Sequence, residues 1–464
     1  MAKNDNLTDL LTDVANAIRA KKGISGKINP QNFSSEIASI STGSGGGEGG
    51  GGALPIVIEK DVNFRDYDGT LLHSYTKEQF LALSELPELP TRPGLICQEW
   101  NWDIARAKNH VQECGMLEIG ASYITDDGNT RLYISIASKA KRDIRLYLTQ
   151  IKANQTIVDW GDGSSETISV VSGYTSHTYP SEGDYIIVIN PNGSTSLSLG
   201  IGQASGNVIG GIGNQYRTVS SMLKKVELGI VSPNINAYAF RDCFCLEAIT
   251  IPSNVTYSGN YAFKTCYSLA SIVFPRNFQT MGTYMFQQCY ALKHISLNAI
   301  GAISNQGFNQ CNSLGRIIIP NSVSSIGSYA FANCNGNEVV VMPNSVTSIG
   351  TYAFQNNASL RFMQLPDNLS VIPQYFCSAA YSLASIKFPK SITSISASAF
   401  AGNQGMILFD FSLAESVPTL ANPNAFNNGA TGRVFVVPDE LYDEWVAATN
   451  WSSYKIVKAS EYTE

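Results

Sequence analysis

One phenylalanine returns through the second half of this 464-residue chain: Phe240, Phe263, Phe286, Phe308, Phe331, Phe354, Phe376, Phe400 and Phe426. The intervals are 23, 23, 22, 23, 23, 22, 24 and 26 residues. Two neighbouring segments show the unit clearly, IPNSVSSIGSYAFANCNG from Ile319 and MPNSVTSIGTYAFQNNAS from Met342. Its general form is P-x-x-V-x-x-I-G-x-Y-A-F-x-x-C-x-S-L-x-x-I-x-I-P. A fixed period of this length constrains the fold more than any other feature. No single unit can bury its own apolar residues, so the units must stack into a solenoid with one continuous core.

Leu314, Ile317, Ile319, Val323, Ile326 and Phe331 are the inward positions of one such unit. The L-x-x-I-x-I segment is short, alternating and β-branched, which predicts one strand per coil and a parallel sheet along one face. Pro320 and Gly327 are expected to turn the chain at the corners. This motif resembles the BspA-type leucine-rich repeat family over residues 223–430. The first and last units depart from it, as units that cap a solenoid should. In the tail, RVFVVPDELYDEWVAATNWSSYKIV predicts a last strand and a helix whose Trp445 and Trp451 close the end (cap, 431–464).

Residues 129–193 alternate at period two, in RLYISI, IRLYLTQI and YIIVI, which predicts half-buried strands. Gly-Asp-Gly after Trp160 is hairpin chemistry. Trp160-Gly161-Asp162-Gly163-Ser164, then His177-Thr178-Tyr179, then Glu182-Gly183-Asp184-Tyr185 resembles the PKD family. That resemblance implies an immunoglobulin-like β-sandwich serving as a spacer, joined to the solenoid by a connector at 194–222. The fold class is therefore mainly β and multidomain: a solenoid plus a sandwich, preceded by an N-terminal helical arm.

The arm is residues 1–40, where Leu7, Leu11, Val14 and Ile18 form one apolar stripe with no core of its own. It predicts an anchoring or oligomerisation helix, with a trimer favoured. STGSGGGEGGGG (linker, 41–53) reads as a loose tether. Residues 54–128 form a small mixed α/β adaptor. Here Val62 and Phe64 alternate with polar neighbours as in a half-buried strand, Thr76 and Gln79 have capping-box spacing, and a helix runs from about Asp103 to Cys114.

The adaptor holds Asp66-Tyr67-Asp68-Gly69-Thr70, which resembles the string that opens haloacid-dehalogenase-type phosphohydrolases. That family implies Asp66 as nucleophile and Asp68 as acid/base. Its nucleophile needs a doubly buried, continuously apolar strand before it, and Lys60–Arg65 alternates instead. The string is expected to be a turn.

No other catalytic or metal-ligating constellation emerges. Cys243, Cys266, Cys289, Cys311 and Cys334 each follow a repeat phenylalanine by three residues, and Asn357 and Asn403 take that place later. This fits a small buried lattice residue rather than a disulfide stack or metal ladder. His110 and Cys114 lie one helical turn apart, with only Cys97 as a third ligand where zinc needs four. His73, His177 and His294 stand outside any such cluster, and the glycine-rich GNVIGGIGNQ at 206–215 precedes no helix that could cradle phosphate. No cofactor and no enzymatic activity are expected.

Only 15% of residues are charged, the net charge is −6, and basic residues do not cluster. This argues against nucleic acid or an anionic membrane as partner. No apolar run reaches the roughly 18 residues of a membrane helix, and the start, MAKNDNLTDLLTDV, lacks the pattern of a secretory signal. Adhesive modules without an export signal suggest a virion component. The arm with the DYDGTLLHSYT region resembles tail proteins of phages that infect gut bacteria. The expected function is a phage tail fibre or receptor-binding protein that attaches to a host surface protein or glycan, joined to other tail proteins through the arm. The alternatives are a bacterial surface adhesin and, more remotely, a phosphohydrolase.

Two residue columns are candidate contact surfaces. Tyr238, Tyr261, Tyr284, Tyr329 and Tyr352 stand two residues before the repeat phenylalanine, predicting a ladder of rings with hydroxyls near solvent. The outward strand position carries Thr250, Val273, Ser296, Ile318, Val341, Gln364 and Lys387. Val273, Ile318 and Val341 give it an apolar centre suited to a partner.

Overall fold

In a computed structural model, the structure describes residues 59–137, 142–194, 197–199, 209–211, 222–231 and 233–462. The arm stripe of Leu7, Leu11, Val14 and Ile18, and the glycine tether, lie outside the described residues. So does most of GNVIGGIGNQ.

The adaptor is a four-stranded sheet in the order β2-β1-β4-β3 with two helices. Its strands are β1 (Val62–Arg65), β2 (Leu71–Tyr75), β3 (Leu95–Trp100) and β4 (Leu117–Thr125). Helix α1 (Lys77–Leu81) carries the capping box expected of Thr76 and Gln79. Helix α2 (Ile104–Cys114) is capped by the Asp103 carboxylate and ends on Gly115 at φ 77°. Phe64 meets Trp100 edge-on at 5.0 Å in a core with Val62, Phe80, Trp102 and Ile119.

β1 is not half-buried as its alternation predicts; all four residues are buried. Val62 and Phe64 enter the adaptor core. On the other face Asn63 and Arg65 are satisfied by Glu118, at 2.9 and 2.7 Å. A second covered face therefore read as solvent.

Two facing sheets follow, sharing one apolar core. One contains β5 (Thr130–Ile136), β10 (Gly183–Asn190), β7 (Ile157–Asp159) and β8 (Ser165–Thr167). The other centres on β6 (Asp143–Gln150), flanked by β9 (Ser172–Thr178), β11 (Leu197–Leu199) and β12 (Ile209–Gly211). Parts of the expected connector thus belong to the sandwich. The Trp-Gly-Asp-Gly turn is fixed by its neighbours: His177 stacks on Trp160 at 4.7 Å, bonds Asp162 at 2.7 Å, and Tyr179 donates to the Trp160 carbonyl. Gly161 needs its missing side chain, since a Cβ would stand 2.5 Å from the Ile186 carbonyl oxygen.

Sandwich and solenoid are continuous. β13 (Leu223–Glu227) pairs antiparallel with β5 and parallel with Ala248–Ile249 of the first coil.

The L-x-x-I-x-I segments are parallel strands, as expected: Arg316–Ile318 pairs Val339–Val341, which pairs Phe362–Gln364. A second set of two-residue strands runs on another face, for example Ala302–Ile303, Ser325–Ile326 and Ser348–Ile349. Strands were expected along one face and are found along two, each broken into shorter ladders. Inside, rings from Phe240 to Phe354 stack 5.1–5.4 Å apart and within 10° of parallel.

The prolines turn the chain as expected, with the Val323 and Val346 amides donating to Pro320 and Pro343. Gly327 serves a different purpose. It has no positive φ; instead a Cβ there would stand 2.5 Å from Asn305 Oδ1 and 2.6 Å from its backbone nitrogen. Gly259, Gly282 and Gly350 are equally crowded by the preceding coil.

The cysteine column is a hydrogen-bonded lattice. Cys266, Cys289, Cys311 and Cys334 donate to the carbonyls of Phe240, Phe263, Phe286 and Phe308, each at 3.1 Å. Asn357 and Asn403 donate through their amides to the carbonyls of Phe331 and Cys377 on the coil before, which explains the exchange of residue types. All nine cysteines are free thiols. At the far end Val434–Val437 and Ile456–Lys458 extend the sheet. Helix α3 (Tyr442–Ala447) carries Trp445, which packs with Trp451 against Phe411; Trp451, expected on the same helix, lies in the turn after it.

Candidate binding surfaces

Each tyrosine of the ladder occupies the left-handed region, with φ between 55° and 63°. Bulky residues seldom adopt it, so the coil-to-coil hydrogen bonds fix a backbone that the residue type does not favour, and Gln306 and Ser398 share it without a ring. Parallel rings run Tyr238–Tyr261–Tyr284 at 5.0 and 4.7 Å, and Tyr329–Tyr352–Tyr375 at 4.5 and 4.6 Å. Gln306 interrupts the rail and donates to the Tyr284 hydroxyl at 3.1 Å. Arg241 and Lys264 lie over the Tyr238 and Tyr261 rings at 5.5 Å.

Sequence reasoning missed Tyr375, which stands one residue before its phenylalanine, not two. A second stack, Phe244–Tyr267–Tyr290 at 4.9 and 5.0 Å, was also missed. Its signal was an aromatic four residues after Phe240, Phe263 and Phe286.

Rings at this spacing cover one another's faces. What the rail presents is a row of rims and hydroxyls. Burial and the neighbouring phenols raise the pKa of Tyr261 and Tyr352, so these hydroxyls remain hydrogen-bond donors at neutral pH.

The strand column differs from expectation. Val273 and Val341 are buried, 3% and 1% exposed, and Ile318 is half-buried. Much of this face is occupied by the chain's own adaptor, which lies across it from Ser253 to Asn344. Asn101 Nδ2 donates to the Phe274 carbonyl at 2.9 Å, and Trp102 Nε1 to that of Leu297 at 3.1 Å. Ser296 Oγ donates to the Glu118 carbonyl, and Glu113 accepts the Asn344 amide. At the column's end Gln364 is half-buried and Lys387 exposed.

Asp66 Oδ2 pairs with Arg92 at 2.5 Å, Oδ1 accepts the Tyr67 amide, and the residue is fully buried. Gly69, at φ 93°, rests on Ser271 of the solenoid. The DYDGT segment is a turn, as expected, and a docking turn.

Beside the adaptor a cleft of about 460 Å³ is lined by Glu59 and Glu118 on one side and Lys293, His294, Arg316 and Glu338 on the other. Arg65 bridges Glu59 and Glu118 at 2.6 and 2.7 Å. Burial pushes the Glu118 carboxyl up. Partial burial opposes ionisation of Glu59, yet Arg65, His294 and Arg316 hold it below the usual range. Burial and Arg65 push His294 down to about 4, leaving it neutral at pH 7. Among the described residues no group of three His, Cys, Asp or Glu side chains is placed to hold a metal ion.

Residues 212–301 and 301–430 match the family described as BspA type leucine rich repeat region, in six copies. The solenoid is a leucine-rich-repeat region of that type. Similar solved structures include a leucine rich cell surface protein from Faecalibacterium prausnitzii A2-165, at 23% identity and TM-score 0.28, covering 50% of this chain and 77% of that one. A leucine-rich repeat protein from Bacteroides ovatus ATCC 8483 has 18% identity and TM-score 0.26, covering 51% and 84%. The T. pallidum leucine rich repeat protein has 28% identity and TM-score 0.32, covering 33% and 72%. No curated protein matches the chain. The leucine-rich repeats thus carry both tyrosine runs.

Proposed function

We propose that this is a non-catalytic attachment protein whose leucine-rich repeats recognise a glycan or protein on a bacterial surface. The observation that carries the reading is the tyrosine rail: two runs of three half-buried rings held on a rigid backbone. Rings stacked 4.5–5.0 Å apart within each run, with their hydroxyls at the rim, suit an extended polar polymer or a protein strand crossing several coils. Tyrosine rims supply such contacts at low entropic cost.

The finer reading is a phage tail fibre or receptor-binding protein. In it the PKD-like sandwich is a spacer, and the stripe of Leu7, Leu11, Val14 and Ile18 assembles copies, as a trimer, and joins them to the virion tail. It rests on sequence resemblance and on the apolar spacing of those four residues. The second reading, a bacterial surface adhesin, is favoured by the repeat family. Antibody to the purified chain separates them: label on virion tails supports the first, and label on the surface of the bacterium carrying the gene supports the second. Glycan-array and whole-cell binding by the full chain tests the attachment role shared by both.

A further inference from the structure

The residue before each strand forms its own column on the sheet face: Ala270, Lys293, Gly315, Glu338 and Arg361. The Lys293 amide donates to Ala270, Glu338 to Gly315, and Arg361 to Glu338. Gly315 is a gap in that column, since a Cβ built there meets nothing within 4 Å. The strand ladder also stops here. Ser271–Val273 pairs with His294–Ser296, and pairing resumes only at Arg316–Ile318 with Val339–Val341. The 460 Å³ cleft opens over this seam.

Lys293 and Glu338 stand at opposite ends of the seam, and Glu59, whose carboxylate feels both His294 and Arg316, faces them from the adaptor. Lys293 and Glu338 are two coils apart, which at a strand spacing of ~4.8 Å puts their backbones ~10 Å from each other. Arg316 stands on the coil between them and gives one N–H to the Lys60 carbonyl at 2.9 Å. Among the described residues Lys293, Arg316 and Glu338 make no ion pair, whereas Glu59 and Glu118 share Arg65. A ligand of one sign would meet repulsion at one end. A neutral sugar would find no Trp, Tyr or Phe ring among the lining residues.

We propose that this cleft binds a short zwitterionic peptide of about three residues, its carboxylate on Lys293 and Arg316 and its ammonium on Glu338. An extended tripeptide spans ~10 Å, the length of the slot. Charge-assisted hydrogen bonds at both ends fix its direction. Gly315 provides the floor along which its backbone lies. The site is separate from the tyrosine rail, so neither depends on the other.

Calorimetric titration of the full chain with trialanine tests this, beside N-acetyl-trialanine amide, which has the same shape and no charge. Saturable binding of trialanine is expected, with the blocked peptide at least about tenfold weaker, as loss of both terminal charges implies. Gly315→Leu fills open space and should abolish binding with unchanged thermal unfolding. Lys293→Gln, at an exposed position, should weaken it about tenfold and serves if the leucine variant fails to fold. No saturable binding up to about 10 mM, equal binding of the blocked peptide, or unimpaired binding by both variants would overturn the proposal.

Discussion

Gly120 and Val273 meet where the adaptor lies on the solenoid: a Cβ on Gly120 would stand 2.4 Å from Val273 Cγ2. The two modules are packed as closely as a single core. Val273→Lys should therefore act as a core mutation, placing a charge in that contact. The expected loss is about 3 kcal/mol or more, read by chemical denaturation. Lys387, at the open end of the same column, should tolerate replacement by Ser within about 0.5 kcal/mol.

Gly327→Ala and Gly315→Ala form a matched pair. The first forces a methyl against Asn305 of the preceding coil, and the second enters open space. Gly327→Ala should cost about 2 kcal/mol through overpacking, while Gly315→Ala should be neutral or slightly stabilising. Equal melting temperatures would remove close coil approach as the reason for the repeated glycine.

Asp66→Asn should cost about 2 kcal/mol by leaving Arg92 without its buried partner. The measurement is denaturant unfolding together with phosphatase turnover of the purified chain. Turnover abolished by this substitution would restore the phosphohydrolase reading.

The buried cysteines predict an alkaline limit to stability. Burial pushes Cys334 and Cys377 up to about 12, against about 8.5 in the unfolded chain. The folded state therefore keeps protons that the unfolded chain releases. The stabilisation is complete below about pH 8.5 and is lost as pH rises towards 12. Melting temperature should fall steeply across that window, and replacing Cys334 by Ala should flatten the fall. In native protein a thiol reagent at pH 8 should reach Cys245 first and Cys97 only slowly, because burial pushes the Cys97 thiol up to about 12. All nine should react after unfolding.

The solenoid was legible because stacking repeats one burial demand every 22 or 23 residues, so Phe331, Ile326 and Leu314 announce themselves through their copies. The adaptor's position was not. Asn101 bonds Phe274 across 173 residues, and no periodicity records such a contact. The outward valines at 273 and 341 were expected to meet a partner or a neighbouring subunit, yet both are buried within the chain itself. The second sheet was missed because a two-residue strand such as Ser325–Ile326 leaves no alternation to read. Gly327 was misjudged because its crowding comes from Asn305, on the coil before it.

The tyrosine rail is the centre of the account, and whole-cell binding tests it most directly. Ser398 occupies the equivalent left-handed position, at φ 57°, so Tyr261, Tyr284 and Tyr329 can be changed together to Ser without forcing a new backbone. The labelled triple variant should bind the target bacterium at least about tenfold more weakly than the parent chain, with unfolding still cooperative. Attachment equal to the parent, by a variant that remains folded, would contradict recognition through the solenoid's tyrosines.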